Sequence, residues 1–504
     1  MNIGVHFSDI YGVSADDLDN YGAFNISLIN DMPLFIDPFL LFYSDKKEYG
    51  LLHQQILRYL SFLKEKAEKG ITDIGLIKAW YAFPEVKQNW LGYSEHGNSG
   101  RGLGFQFANN MHTLMPAAFK DLGQEKLTET THLEKVGLFN KGIGRDNISD
   151  FTTNLILDYL LKYTETFTHK YIDPNLSRKF TVKKAVFDYQ YERWLPGVYQ
   201  LPVAPNGDFV ILTPKDILTR DETWINSGDM LDRFPEISES IENDQLRAHI
   251  NEYFRLKIPR GNYSYKDKER FVKAAKWETI KEFPILIENY IKQKEQEKEG
   301  ANSVANARVT DVKNLFVTNI QTLLNDELAN TEFFSIHPNA SYVETLKRVH
   351  YLKKCIEKND VYKLFYVGDR PVKKEQDLQL AFRLVWYATE CDVNREVNNG
   401  RGPVDYKVSN GAKDSTLVEF KLASNSSLKK NLAHQLEIYE TANDTRFGIK
   451  VIMYFTTSEL EKVNKILSIF SPHHPLPSWV CTQPLERDHW AKDLFPNIDL
   501  IILT

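Results

Sequence analysis

Between Val393 and Leu422 the chain alternates apolar and polar residues in three short bursts, Val393–Val397, Val404–Val408 and Thr416–Leu422, with Gly400-Arg401-Gly402-Pro403 and a segment around Ser409–Asp414 as the turns. A period of two is the mark of strands, so a three-strand meander is expected here, after a helix at about Lys374–Thr389. The third burst constrains the fold most. Side chains two residues apart leave a strand on the same side, which puts Glu419 and Lys421 on one face and Val418, Phe420 and Leu422 on the other. A strand that apolar on its second face reads as a central strand of a covered sheet.

Asp405 lies on the second strand, and a hairpin brings its carboxylate beside Glu419. Two carboxylates and an ammonium then share one pocket. Phosphodiester hydrolysis uses such a set: hard oxygen ligands for Mg²⁺, which stabilises charge in the transition state, and a nearby cation that orients or deprotonates the attacking water. The next helix, Leu428–Thr441, carries Gln435 and Tyr439 four residues apart on one face, with Leu432 and Leu436 beside them toward the sheet.

With GPVDYKVS, VEFKLAS and QLEIY in this order, the stretch from about Asp369 to Thr504 resembles the PD-(D/E)XK nuclease superfamily, in the branch where a helical Gln-x-x-x-Tyr follows the ExK strand. Here Val404 directly precedes Asp405, with Pro403 one position further back. The resemblance implies a restriction-endonuclease-like α/β core, a mixed central sheet flanked by helices in the order α–β–β–β–α–β. It implies Asp405, Glu419, Lys421, Gln435 and Tyr439 as catalytic residues and Mg²⁺ (or Mn²⁺) as cofactor, held by Asp405 and Glu419. An acidic residue on the first helix completes such sites. Glu375 is the candidate, with Gln379 one turn later on the same face; Glu375 equally suits a helix N-terminus, where the macrodipole favours negative charge. Glu390 is a weaker alternative. Arg401, Lys429 and Lys430, with Arg395 and Lys407, flank the pocket and are expected at substrate phosphates, or as solvated surface. The implied activity is a metal-dependent nuclease acting on DNA. In general architecture the chain resembles effectors of prokaryotic defence against foreign DNA. Two readings stand beside this: a catalytically silent nuclease fold serving as a scaffold, and a nuclease active only after a partner releases it.

The rest of the chain says less about chemistry. At 504 residues two or three domains are expected: a mixed α/β or α+β domain over 1–233, a mainly helical region over 234–368, and the unit from 369. A net charge of −6 gives no global pull toward nucleic acid, so a polyanion must be held by a local patch or through metal ions. Cys355, Cys391 and Cys481 form no CxxC pair, and no apolar run approaches a membrane span, so a cytoplasmic protein without membrane association is expected. The glycine-rich GNSGRGLG at Gly97–Gly104 lacks the Gly-Lys-Ser/Thr of a P-loop and reads as an ordinary loop rather than a phosphate cradle. In the N-terminal domain, Phe209–Leu212 reads as a strand ending at Pro214, and Leu51–Ala67 as a helix. Asn147 or Ser149 is expected to cap a helix bearing Phe151, Leu155, Ile156, Tyr159 and Leu160, with Arg145, Asp146 and Asp150 as capping and surface pairs at its entry. Helical patterns cover Lys266–Glu299 and Val309–Leu328. The charged run KQKEQEKEGANS is expected to end a helix at Gly300. This helical middle reads as a spacer or as the surface that meets a partner protein or a second copy. His473 and His474, adjacent in a loop, point apart and read as non-ligands.

Overall fold

The computed structural model describes residues 5–92, 102–119, 131–140, 142–261, 263–322, 341–358, 391–398, 403–410, 414–431, 447–470 and 498–503, together with 362, 365–367, 370–372, 375, 378, 379, 382 and 386. Helices and small sheets are mixed throughout. The strands, in chain order, are β1 (Phe35–Ile36), β2 (Ser177–Asp188), β3 (Arg193–Pro202), β4 (Leu218–Thr219), β5 (Tyr366–Val367), β6 (Arg370–Pro371), β7 (Asp392–Asn398), β8 (Pro403–Ser409), β9 (Ser415–Leu422), β10 (Phe447–Met453) and β11 (Ile498–Leu503).

In the N-terminal part the helix Lys47–Glu68 forms because Tyr49, Leu52, Ile56, Tyr59, Leu60 and Leu63 recur at helical spacing, and all six are buried. It packs with the helices Phe105–Ala118 and Arg145–Leu155. The last of these begins at Gly144, earlier than Asn147 or Ser149 as a cap would require. Asn147 instead accepts the Gly144 amide from inside the first turn, and the Ser149 hydroxyl accepts the Ile36 amide. Strands here occur only as pairs among the described residues, β1 with β4 and β2 with β3. Phe209–Leu212 is not a strand. Val210, Ile211 and Leu212 are fully buried, but their backbone bonds scatter: Val210 donates to Pro202, Ile211 to Gln88 and Leu212 to the Thr164 hydroxyl. Burial, not pairing, produced the apolar run.

The helical middle is not a free-standing spacer. One core joins Phe39, Leu40 and Leu138 of the N-terminal part to Met230, Phe234, Trp277, Leu286 and Tyr290. Helices Tyr265–Glu282 and Ile285–Gln296 are separated at Pro284, whose ring is incompatible with a helix interior. The expected break at Gly300 does not occur, and the helix Lys298–Lys313 runs through it. A Cβ at Gly300 would meet the Trp224 ring at 3.1 Å, so glycine there allows the helix to approach the indole closely. After Lys313 the helix widens into a π-turn, Asn314–Thr318, before Asn319–Thr322. This end docks on the N-terminal part: His6 Nε2 lies 2.9 Å from the Phe316 carbonyl, and Lys313 pairs with Asp19.

The C-terminal part is built on one sheet in the order β11-β10-β9-β8-β7. β7, β8 and β9 form an antiparallel meander, and β9, β10 and β11 run parallel. The parallel step from β9 to β10 needs a crossover, and a helix begins within it at Leu428. β9 is thus central, and from Thr416 to Leu422 only Lys421 is not buried, as the apolar second face required. The helix Ser341–Lys358, expected in the middle region, lies on this sheet against β8 to β11. Ser341 anchors it, its amide donating to Asp414 Oδ2 at 2.7 Å and its hydroxyl lying 2.9 Å from that of Thr416.

Candidate active site

The meander brings Asp405 to Glu419 as expected. The β8–β9 ladder runs from Ser409–Ser415 to Tyr406–Val418 and stops there. At the next step the Asp405 side chain substitutes for a backbone acceptor, and Oδ2 takes the Phe420 amide at 2.6 Å. The other oxygen, Oδ1, accepts from Gln379 Nε2 at 2.7 Å. Gln379 is itself fixed by its carbonyl, which accepts the hydroxyl of the fully buried Tyr406. Glu375, Leu378, Gln379 and Phe382 are helical. Phe382 seats their helix on the apolar face of the sheet, its ring centroid 4.4 Å from that of Phe420.

Lys421 is the centre of the cluster. Its Nζ lies 3.2 Å from Glu419 Oε1, 3.4 Å from Glu375 Oε2 and 4.0 Å from Asp405 Oδ2. Glu375 therefore faces the site. Among the described residues no three His, Cys, Asp or Glu side chains form a ready metal-holding group; the three carboxylates fan around the ammonium instead.

The electrostatics follow from burial. Desolvation pushes the Asp405 carboxyl up to about 7, with Glu419 and Glu375 adding to the rise while Lys421 and the Phe420 amide oppose it. Burial works against the charge on Lys421, but Asp405, Glu419 and Glu375 outweigh it and hold the ammonium above the ordinary lysine range. Lys450, on β10, is in register with Glu419, only 6 % exposed, and brought down to about 8 by burial, with Lys421 adding and Glu419 opposing. The sequence reading missed Lys450. Its one signal was a lysine inside the apolar run Phe447–Met453, a position that a buried parallel strand gives to charge only when a counter-charge faces it.

Asn425 was missed as well. It follows β9, and its Nδ2 donates to Glu375 Oε1 at 2.8 Å. Lys429 and Lys430 are exposed on the first turn of the helix that begins at Leu428, outside the carboxylate cluster. Arg401, Gln435, Tyr439, Glu390, His473 and His474 lie outside the described residues, as does most of the glycine-rich loop. Its described end is structural: a Cβ on Gly102, at φ +61°, would meet the Glu85 amide nitrogen at 2.5 Å. Arg145 donates to the Asp221 carbonyl and lies 3.5 Å from Glu222, while its charge also acts on Asp146.

Residues 12–226 match a family described as Domain of unknown function (DUF8370), and residues 341–457 match a second, Domain of unknown function (DUF8371). No curated protein and no solved structure matches the chain. The second match begins at the residue that anchors the sheet-covering helix. It spans Glu375, Gln379, Asp405, Glu419, Lys421 and Asn425. No described helix is long and apolar enough to cross a membrane.

Proposed function

We propose that the C-terminal part is a metal-dependent nuclease that hydrolyses phosphodiester bonds in DNA. One observation carries the reading: three carboxylates, Glu375, Asp405 and Glu419, and the Lys421 ammonium converge at one end of a central strand, with Lys421 within 4.0 Å of all three. The donor set fits Mg²⁺ or Mn²⁺, since all three side chains offer hard oxygens and, when ionised, they outnumber the two lysines, leaving the pocket attractive to a dication. Asp405, Glu419 and Glu375 would hold the ion, which when bound supplies positive charge to the developing phosphorane and makes water a better nucleophile. Gln379 and the Phe420 amide fix both Asp405 oxygens, so that this ligand is preorganised rather than free to rotate. Lys421, tethered among the carboxylates and held there as an ammonium, would orient the attacking water by donating to it and offset the developing negative charge. A mixed sheet whose antiparallel meander β7–β9 is followed by a helix beginning at Leu428 and then by β10 supports this reading. Role in defence against foreign DNA remains part of this proposal, by architectural analogy.

The test is incubation of the whole protein with plasmid, linear and single-stranded DNA and with RNA, in Mg²⁺ or Mn²⁺. Cleavage of DNA is expected, with a loss of about 100-fold or more in Lys421→Ala. No cleavage of any substrate, or equal cleavage by Lys421→Ala, overturns the enzyme and favours a scaffold role.

A further inference from the structure

We propose that Asn425 is a positioning residue that holds Glu375 in the carboxylate cluster and so sets the affinity of the site for a divalent cation. The proposal rests on the nuclease reading of that cluster. Glu375 comes from a helix, whereas Asp405 and Glu419 come from the sheet, so its carboxylate is the one whose place depends on how helix and sheet meet. Two groups, one at the end of β9 and one on the loop after it, reach it. Asn425 Nδ2 donates to Oε1 at 2.8 Å, and the Leu422 amide lies 3.4 Å from the same oxygen. The opposite oxygen, Oε2, is thereby turned to Lys421.

The direction of the Asn425 amide is settled by its other end. Its Oδ1 accepts the Ser427 amide at 2.8 Å in an Asx turn, so the NH₂ must face Glu375. The loop is fixed in turn. The Asn425 amide donates to the Leu422 carbonyl, and Lys462, from the helix Thr457–Phe470, donates to the carbonyls of Ala423 at 2.6 Å and Asn425 at 2.9 Å. A neutral amide suits the task, because it donates to one carboxylate oxygen without adding charge. An aspartate would repel Glu375, and a lysine would compete with a cation. Partners that orient a ligating carboxylate typically change metal affinity by about 10- to 100-fold when removed.

The experiment is Mn²⁺ titration of the full chain followed by electron paramagnetic resonance, which reads free Mn²⁺ directly and needs no turnover. Asn425→Ala is expected to weaken Mn²⁺ binding about tenfold. Glu375→Ala is expected to weaken it at least as much. Combining the two should be no worse than Glu375→Ala alone, because Asn425 acts through Glu375. Multiplying effects in the double variant, or unchanged binding in Asn425→Ala while Glu419→Ala abolishes it, overturns the positioning role alone. Absence of Mn²⁺ binding by the unaltered chain, or binding indifferent to Glu419→Ala, overturns this role together with the nuclease reading.

Discussion

At the scale of single residues, burial is what turns ordinary side chains into sensitive ones, and the buried acids at Asp37 and Glu134 give the clearest case outside the candidate site. Each is 2 % exposed. Asp37 accepts the Phe39 amide at 3.0 Å and the Trp224 amide at 2.6 Å. Desolvation nevertheless raises it to about 6, and burial together with the charge on Asp37 raises Glu134 well above the carboxylate range. In the unfolded chain both release their protons near pH 4, but in the folded chain they hold them to higher pH. The pair's contribution is therefore fully present below about pH 4 and is lost as pH rises through about 6 and beyond. Glu134→Gln keeps the shape and removes one titration. Urea midpoints at pH 5 and pH 7.5 should show a smaller loss with rising pH in the variant than in the unaltered protein; equal losses would refute the assignment. None of this was legible in the sequence, where Asp37 and Glu134 stand 97 positions apart. Asp405, Glu419 and Lys421 were legible because strand periodicity fixes the face of each residue locally. Asn425 and Lys450 were not, since their roles depend on a loop turning back and on the register of β10.

At the scale of elements, the three strands of the meander were readable to within a residue, because hairpin pairing between neighbours in sequence leaves its mark in alternation. What covers the sheet was not readable. The helix Ser341–Lys358 has the same amphipathic spacing as the helices before it, and that spacing says that a face is buried without saying against what. An internal pair, Glu344 and Arg348, marks the buried side: the two are 2.6 Å apart and at most 1 % exposed, with the guanidinium 4.9 Å from the centre of the Trp386 ring. Such a pair gives little net stability over apolar residues, but breaking it is costly, because the remaining charge keeps its desolvation penalty without this counter-charge. Glu344→Ala is expected to cost about 3–5 kcal/mol in chemical denaturation. Replacing both residues together, Glu344→Leu with Arg348→Met, should cost clearly less than the single change. If the single and double changes are equally damaging, the pair is not what the helix depends on.

For the whole molecule, the question is where the chain can be divided. The resemblance to a nuclease core pointed to a start near Asp369, after the region read as a helical middle. The packing moves the boundary of the C-terminal part back to Ser341. Val349, Leu352 and Ile356 of the sheet-covering helix are at most 2 % exposed. At about 2 kcal/mol for each fully buried aliphatic side chain, they contribute about 6 kcal/mol, comparable with the entire net stability of a typical domain. A fragment starting at Asp369 would lack this cover, together with the Ser341 bonds to Asp414 and Thr416 that tie the turn before β9 to the start of β9. The sheet that carries Asp405, Glu419 and Lys421 would then present apolar surface to water. Residues 341–504 are therefore expected to give a cooperative thermal transition by circular dichroism, and residues 369–504 to aggregate or melt without one. Equal folding of the two fragments would show that the sheet stands without its helix, and would return the boundary to Asp369.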